Sequence, residues 1–171
     1  CDLIDVLKKE EIPGIELFCE NFAAIDAIAE KLGIRGKVNG VIFDFGFSSY
    51  HIEKSKRGFS FLKDEPLDMR YNRIHPLSAA VIVNTWPEEE LRFLIREYGE
   101  ERYAGRIARR IIEERKKKKI ETSGQLSGII VRSMPRGARR GKIHPATRTF
   151  QALRIIVNDE FENIRRGLAA S

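Results

Sequence analysis

Residues 41–45 read VIFDF, an apolar run broken only by Asp44 near its end. Such a run is typical of a parallel β-strand buried on both faces, because helices cover both sides of a parallel sheet. A second β-like run, IELFC, occupies residues 15–19. Between the two runs, apolar residues recur at helical spacing: Ala23, Ile25, Ile28, Ala29 and Leu32. This alternation predicts an α/β fold with a doubly wound parallel sheet, of which only some strands are present.

Residues 74–142 are predicted to form an all-helical insertion into that sheet. Ser78 is expected to cap a short helix, and residues 85–88 read TWPE, a capping-box pattern ahead of a second helix. An amphipathic helix with a basic face is predicted from Ala104, and a further helix is predicted at residues 122–134.

Beyond these helices, residues 135–142 read PRGARRGK, which predicts a mobile basic loop. Pro145 suits the first turn of a final helix, whose apolar stripe continues unbroken to Leu168. We therefore divide the chain into a partial core with an active-site loop at residues 1–73, the insertion, and a helix at residues 143–171 that returns to the core.

Charge is concentrated in one part of the chain. Residues 102–148 hold fifteen of the 31 Lys and Arg residues but only three of the 25 Asp and Glu residues. So little acidic compensation predicts a polyanionic partner, although a charge run can also be a solvated helix face. The sequence has no apolar run long enough to span a membrane, so we expect a soluble protein.

The two cysteines, Cys1 and Cys19, have no CxxC spacing, and the three histidines share no metal-ligand spacing. We therefore predict no metal site and expect a reducing compartment. No secretory signal is visible. Because the sequence begins with Cys1 rather than Met, we expect it to be a piece of a longer chain.

Asp44 is the residue of the 41–45 run most suited to a ligand. In open α/β sheets, ligands bind beyond the carboxyl ends of the strands, where a carboxylate can accept hydrogen bonds from a ligand or a substrate amine. Asp44 could equally cap the turn that follows at Gly46. The residues by themselves leave both interpretations open.

Several sequence blocks, in the same order, resemble the family of ribosomal RNA small-subunit methyltransferases that act on the N4 of a cytidine. They read VIFDFGFSS at residues 41–49, RGFSF at 57–61, PLDMR at 66–70, YGEER at 98–102, RIA at 106–108 and HPATRTFQALRI at 144–155, followed by Val157 and Asn158. Together they span most of the chain from Phe22 onward. The resemblance implies a partial Rossmann-like methyltransferase core with an inserted helical subdomain.

The resemblance also implies that the cofactor is S-adenosylmethionine. Phe22 stands where the family has an aromatic or similar residue near the adenosine, and Asp44 stands where it has a cofactor-contacting Asp. Seven positions beyond that Asp the family usually has Gln, whereas this chain has His51, whose imidazole can still donate one hydrogen bond. The family's glycine-rich loop and its ribose-binding acidic residue are not visible, and no proton acceptor can be named.

By the same resemblance, the reaction is transfer of the sulfonium methyl group to the amino nitrogen of a cytosine that is splayed out of its stack. The partner is small-subunit ribosomal RNA or the small ribosomal subunit, in the cytoplasm or an organelle matrix, with no membrane and with a homodimer left open. The residues expected to contact RNA phosphates are Arg106, Arg109, Arg110, Lys116, Lys117, Arg136, Arg139, Arg140, Lys142 and Arg148.

The sequence also allows an alternative to an enzyme. A non-catalytic RNA-binding or ribosome-associated protein could have kept the family's insertion and lost the cofactor loop, and both His51 and the absent glycine-rich loop favour that interpretation. The retention of the blocks around Asp44 and at residues 57–70 favours the enzyme, which we take as the prediction.

Overall fold

The computed structural model of the chain describes residues 4, 7, 13–46 and 49–171, without the side chains of Ser49, Tyr50 and Arg140. The α-helices within this part are α1 Ile25–Lys31, α2 Ser49–Glu53, α3 Ala79–Thr85, α4 Glu88–Glu97, α5 Ala104–Arg115, α6 Ser123–Ser133, α7 Thr147–Val157 and α8 Glu160–Ala169. Two 3-10 helices lie at Phe22–Ala24 and Arg136–Arg140.

The chain divides into two compact units. The first unit comprises Cys1–Tyr50 and Glu160–Ser171, and the second unit comprises His51–Asp159. The second unit is therefore longer at both ends than the predicted insertion at residues 74–142. The cause is hydrophobic burial, because Leu67 and Met69 before the insertion, and Leu153 after it, are each at most 1% exposed in the same core.

The core of the second unit is built from the apolar stripes of α3 to α7. Its largest fully buried side chains are Leu67, Met69, Ile82, Val83, Leu91, Leu94, Ile95, Ile107, Ile111, Leu126, Ile130 and Leu153. Helix α5 is central, since it packs against α3, α4 and α6. Each fully buried aliphatic side chain contributes about 1.5–3 kcal/mol, so this core stabilises the unit.

The helix starts show which local signals the sequence carries. Ser78 caps α3 as predicted, since its side chain accepts from the Val81 N–H. The capping box predicted at residues 85–88 is wrong. The Thr85 hydroxyl instead donates to the Val81 carbonyl within α3, and Pro87, which has no side-chain hydrogen bond, precedes α4.

A true capping box begins α6. The Thr122 side chain accepts from the Gln125 N–H, and the Gln125 side chain accepts from the Thr122 N–H. Helix α6 ends at Ser133, so the prediction of a helix at residues 122–134 is confirmed. The basic loop predicted after it contains the ordered 3-10 helix Arg136–Arg140 instead of irregular backbone alone.

The predicted strands are not found. Within the described residues the structure has no β-strand, and its isolated β-bridge joins Pro66 and Thr122. Residues 41–45 are not buried on both faces either, since Ile42 is 96% exposed. A strand is stabilised by hydrogen bonds to a neighbouring strand, and no described segment pairs with this run. The predicted α/β sheet is therefore unconfirmed.

The final helix is interrupted, which corrects the prediction of one helix over residues 143–171. Helix α7 ends at Val157 and α8 begins at Glu160. Between them Asp159 has a φ of 49°, in the left-handed region that a helix cannot continue through. The break coincides with the boundary between the two units.

Candidate functional site

Three phenylalanine rings form an aromatic cluster in the first unit. Phe43 and Phe45 are stacked with ring centroids 5.3 Å apart, and the Phe22 ring lies 5.5 Å from that of Phe45. Phe22 is 37% exposed and Phe45 is 39% exposed. The cluster therefore keeps a partly open aromatic surface, which suits contact with a flat heteroaromatic ligand.

Phe22 is positioned by the last helix of the chain. Asn21 accepts from the Ala23 N–H, which caps the 3-10 helix, and its amide donates to the Asn163 side chain at 2.9 Å. Gly167, also on α8, lies against the Phe22 ring, because a Cβ there would stand 2.8 Å from Cδ2 of Phe22. The two contacts fix the ring from a segment more than 140 residues away in the chain.

In sequence, Asp44 lies between Phe43 and Phe45, two members of the aromatic cluster. Its Oδ1 accepts from the Gly46 N–H at 2.9 Å, so Asp44 caps this turn, while its role toward a ligand stays a prediction. The side chain is exposed, and its other oxygen makes no hydrogen bond within the described part of the chain. An aromatic surface beside a carboxylate acceptor fits the adenosine end of S-adenosylmethionine. Phe47 and Ser48, which complete the sequence block, lie outside the described residues.

His51, the third predicted cofactor residue, belongs to the second unit. Its ring lies 4.9 Å from the Tyr71 ring and 5.3 Å from the Phe59 ring, which are stacked on each other. Burial lowers the pKa of His51, and the nearby positive charge of Arg57 lowers it further. The imidazole is therefore neutral near pH 7, with one N–H to donate.

The backbone beside this ring cluster is fastened by two side chains. Nη1 of Arg57, which is 7% exposed, donates to the carbonyls of Arg70 and Tyr71 at 3.0 Å each. Asn158 accepts from the Tyr71 N–H at 2.7 Å and donates to the Met69 carbonyl at 2.8 Å. These bonds hold Met69 at a φ of 61° while its side chain is fully buried.

Asp68 and Arg70 form an ion pair in the predicted active-site loop. The Arg70 guanidinium makes two hydrogen bonds to the carboxylate, at 2.6 and 3.0 Å, and also donates to the carbonyls of Arg73 and His75. Burial would raise the pKa of Asp68, but the hydrogen bonds and charge of Arg70 outweigh it, so the pKa lies below its usual value. These polar side chains brace the loop.

The predicted RNA-binding residues on α5 and just after it differ in solvent exposure and in ion pairing. Arg106, Lys116 and Lys117 are exposed, and Lys117 pairs with Glu114 at 3.0 Å. Arg110 pairs with Glu114 as well, and Arg109 lies 3.7 Å from Glu88. The arrangement is a mainly solvent-facing basic surface with a few ion pairs, not a set of buried charges.

The remaining predicted RNA-binding residues follow α6. Arg136 and Lys142 are exposed, while Arg139 donates to the Met134 carbonyl. Arg148 donates to the Glu100 carbonyl at 2.7 Å and so tethers the start of α7 to the turn after α4. The side chain of Arg140 lies outside the described residues.

Two further findings concern metals and membranes. Among the residues that the structure describes, no cluster of three or more His, Cys, Asp or Glu side chains could bind a metal ion. In the same part of the chain, no helix has the length and apolar character needed to cross a membrane.

Comparison with known proteins identifies the family. A model of the MraW methylase family matches residues 4–171. The chain belongs to the MraW methylase family. This membership agrees with the resemblance of the sequence blocks and implies a methyltransferase fold, while the Rossmann-like form of the core stays a prediction.

Relatives in the MraW methylase family carry a more specific name. The ribosomal RNA small subunit methyltransferase H of Symbiobacterium thermophilum is 51% identical over 154 residues, which cover 90% of this chain and 48% of the relative. The protein of the same name from a Sulfurihydrogenibium species is 48% identical over 160 residues, covering 94% and 54%. That from Geobacter sulfurreducens is 50% identical over 151 residues, covering 88% and 48%. The chain thus spans about half the length of the curated relatives it matches.

Proposed function

We propose that the complete protein transfers a methyl group from S-adenosylmethionine to the exocyclic N4 of a cytidine in small-subunit ribosomal RNA. The observation that carries the proposal is the family match over residues 4–171, with relatives at 51% and 48% identity named as methyltransferases of that RNA. The methyl donor and the cytosine N4 come from the resemblance of the sequence blocks.

Two features of the first unit support cofactor binding. The exposed parts of Phe22 and Phe45 would contact the adenine ring, and the exposed Asp44 side chain would accept a hydrogen bond from the ligand. When bound, S-adenosylmethionine supplies a methyl group on a positively charged sulfur. An aromatic and acidic surface suits such a cation better than it suits an anionic ligand.

The His51 side chain supports the same proposal in the second unit. A neutral imidazole keeps one donor and one acceptor, which is the hydrogen-bonding capacity needed where the family usually has the amide of Gln. The resemblance of the sequence blocks names His51 as a cofactor-binding residue, and a neutral imidazole adds no positive charge of its own.

The chemistry demands a well-fixed site, because the lone pair of the cytosine amino group is delocalised into its ring. The protein must hold this nitrogen in line with the methyl group, and small displacements cost large factors in rate. The bonds from Arg57, Asn158 and the Asp68–Arg70 pair fasten residues 57–73 and meet that demand. The target base must also leave its stack to be reached.

The basic surface of the second unit supports RNA as the substrate. Exposed Arg106, Lys116 and Lys142 can neutralise phosphates, and binding is then expected to weaken steeply with added salt. This reaction belongs where small ribosomal subunits are assembled, in the cytoplasm or, in a eukaryote, in an organelle matrix.

Calorimetric titration of the complete protein with S-adenosylmethionine tests the proposal. We expect micromolar binding that Asp44→Asn weakens by up to about tenfold, since a hydrogen bond to a charged carboxylate becomes a weaker one to a neutral amide oxygen. Asp26→Asn is the matched control, because Asp26 is also exposed in the first unit and caps a nearby N–H, that of Ala27. No heat of binding, with RNA binding intact, would favour the non-catalytic RNA-binding protein.

A further inference from the structure

His144 lies at the outer end of an aromatic ladder in the second unit. Its imidazole is stacked on the Phe61 ring, with centroids 4.3 Å apart and planes inclined by 16°. Phe61 in turn meets Phe150 edge-to-face at 5.3 Å, and Phe150 is 4% exposed in the core. The exposed imidazole of His144 is therefore packed on Phe61, which in turn packs on the buried Phe150.

The orientation of the imidazole is also fixed by a hydrogen bond. The Ala146 N–H donates to Nδ1 of His144 at 3.2 Å, so in the neutral ring the proton sits on Nε2. One face of the ring lies on Phe61, and the residue as a whole is exposed to solvent. An exposed, flat, fixed ring is suited to stacking against another flat ring.

The surroundings of His144 are both apolar and cationic. Leu62 is 82% exposed and Ile143 is 53% exposed, next to the two ring partners in sequence. Lys142, two residues before the histidine, and Arg136, eight residues before it, are exposed. No Asp or Glu occurs in residues 122–158, although the Asp64 carboxylate accepts from the Gly124 N–H of this stretch at 3.0 Å. A ligand here should combine a planar apolar group with an anionic backbone.

We propose that His144 is a stacking platform for an unpaired base of RNA, whose flanking phosphates are bound by Arg136 and Lys142. Unpaired bases of RNA stack on exposed aromatic rings, histidine included, whereas an A-form duplex hides its base faces. A protein partner would use the apolar residues but would not need a cationic stretch. The inference rests on the proposed function, because it takes RNA as the ligand.

Two substitutions separate stacking from a purely structural role. His144→Asn removes the ring but keeps a side-chain acceptor for the Ala146 N–H. His144→Phe keeps the ring stacked on Phe61 but removes that acceptor. If His144 stacks on a base, RNA binding should survive His144→Phe. If His144 only orders the start of the helix, RNA binding should survive His144→Asn. His75→Asn is the matched control, because His75 is exposed in the same unit and its Nδ1 likewise accepts from an N–H two residues on, that of Leu77.

The measurement is fluorescence anisotropy of a labelled single-stranded RNA and of a blunt RNA duplex, each titrated with the protein at several salt concentrations. We expect His144→Asn to weaken single-strand binding about tenfold, with the salt dependence unchanged because Arg136 and Lys142 still neutralise the phosphates. His144→Phe and His75→Asn should bind within about twofold of the parent, as should His144→Asn with the duplex. Equal losses for His144→Phe and His144→Asn, or no loss for His144→Asn, would overturn the inference.

Failure of the stacking proposal can be distinguished from failure of the methyltransferase proposal. Methyl transfer to small-subunit ribosomal RNA with single-strand binding indifferent to His144→Asn would contradict the stacking platform and leave the methyltransferase intact. Binding that depends on the His144 ring, in a protein without methyl transfer, would contradict the proposed function and leave the platform intact. A parent protein that binds no single-stranded RNA contradicts the inference outright.

Discussion

Gly167 leaves the space that the Phe22 ring occupies: a methyl group at position 167 would lie 2.8 Å from Cδ2 and 3.1 Å from Cε2 of Phe22. The aromatic residue predicted to contact the cofactor is therefore positioned by a glycine on the last helix. Glycine is costly within a helix, so its presence in α8 is explained by this close approach.

Replacing this glycine tests the close approach to Phe22. Elsewhere in a helix, Gly→Ala stabilises by about 0.5–1 kcal/mol, but Gly167→Ala should destabilise by about 1–3 kcal/mol because it overpacks the Phe22 ring. Urea unfolding of the protein measures the change. Gly105→Ala in α5 is the control, since its new methyl group would only reach ordinary contact, 3.6 Å from Cδ of Arg92. Gly167→Ala should become neutral or stabilising when Phe22 is also Ala, and a persistent loss of stability would contradict the close approach.

His51 should make the stability of the protein depend on pH. Its pKa is lowered by folding from an ordinary value of 6.5, so the unfolded chain binds the proton more readily than the folded protein does. Stability is then full above about pH 6.5 and falls as the pH is lowered through that value. His51→Gln removes the effect.

The measurement is the urea midpoint of both proteins between pH 8 and pH 5. Each protein's urea midpoint is compared with its own value at pH 8. On acidification, the midpoint of the parent should fall more than that of His51→Gln. Parallel curves, or a steeper loss in the variant, would show that folding does not lower the pKa of His51.

The Asp68–Arg70 pair should stabilise the protein at neutral pH and lose this contribution in strong acid. Both side chains are about four-fifths buried, at 21% and 22% exposure, so Asp68→Asn should destabilise by about 1–3 kcal/mol. The pKa of Asp68 is lowered, so its contribution is present above the unfolded value of 3.8 and lost as the pH falls through the lower folded value. The parent and the variant should therefore converge in stability in strong acid.

A surface pair gives the comparison for Asp68→Asn. Glu162 and Arg165 on α8 also form a doubly hydrogen-bonded pair, but their side chains are 41% and 73% exposed. Solvent and salt screen such a pair, so Glu162→Gln should change the urea midpoint very little. If the two variants lose equal stability, burial is not what strengthens the loop pair.

Sequence reasoning succeeded where the signal was local. Ser78 and the start of the basic helix at Ala104 were found because capping and apolar spacing are decided within a few residues. The break between α7 and α8 was missed because the apolar stripe continues across it. The side chain of Asn158, at the end of α7, bonds to Met69 and Tyr71, almost 90 residues earlier, and no local pattern reveals such contacts.

The candidate site was predictable in its residue types and not in its contacts. Asp44 and Phe22 were proposed from the resemblance, but nothing in the sequence links Phe22 to Gly167 on α8. The stack of His144 on Phe61 joins residues 83 positions apart and was likewise missed. Pairings between distant segments depend on packing, which periodicity does not encode.

The cationic surface predicts a location-dependent salt effect on RNA binding. Changing Lys116 and Lys118 to Gln should reduce the slope of log affinity against log salt by about 0.7 for each phosphate that is no longer neutralised. Lys31→Gln with Lys37→Gln removes the same charge from the first unit and should leave the slope unchanged. Equal effects of the two double variants would mean that net charge, and not the surface after α5, governs binding.

The identity of the methylated nucleoside distinguishes an enzyme that modifies the N4 of a cytidine from every alternative. The complete protein would be incubated with S-adenosylmethionine carrying a deuterated methyl group and with unmethylated small ribosomal subunits or their RNA. Nucleosides released by digestion would then be analysed by mass spectrometry. We predict that the labelled methyl group appears in N4-methylcytidine. Label in another nucleoside, or no label in RNA at all, would contradict the account.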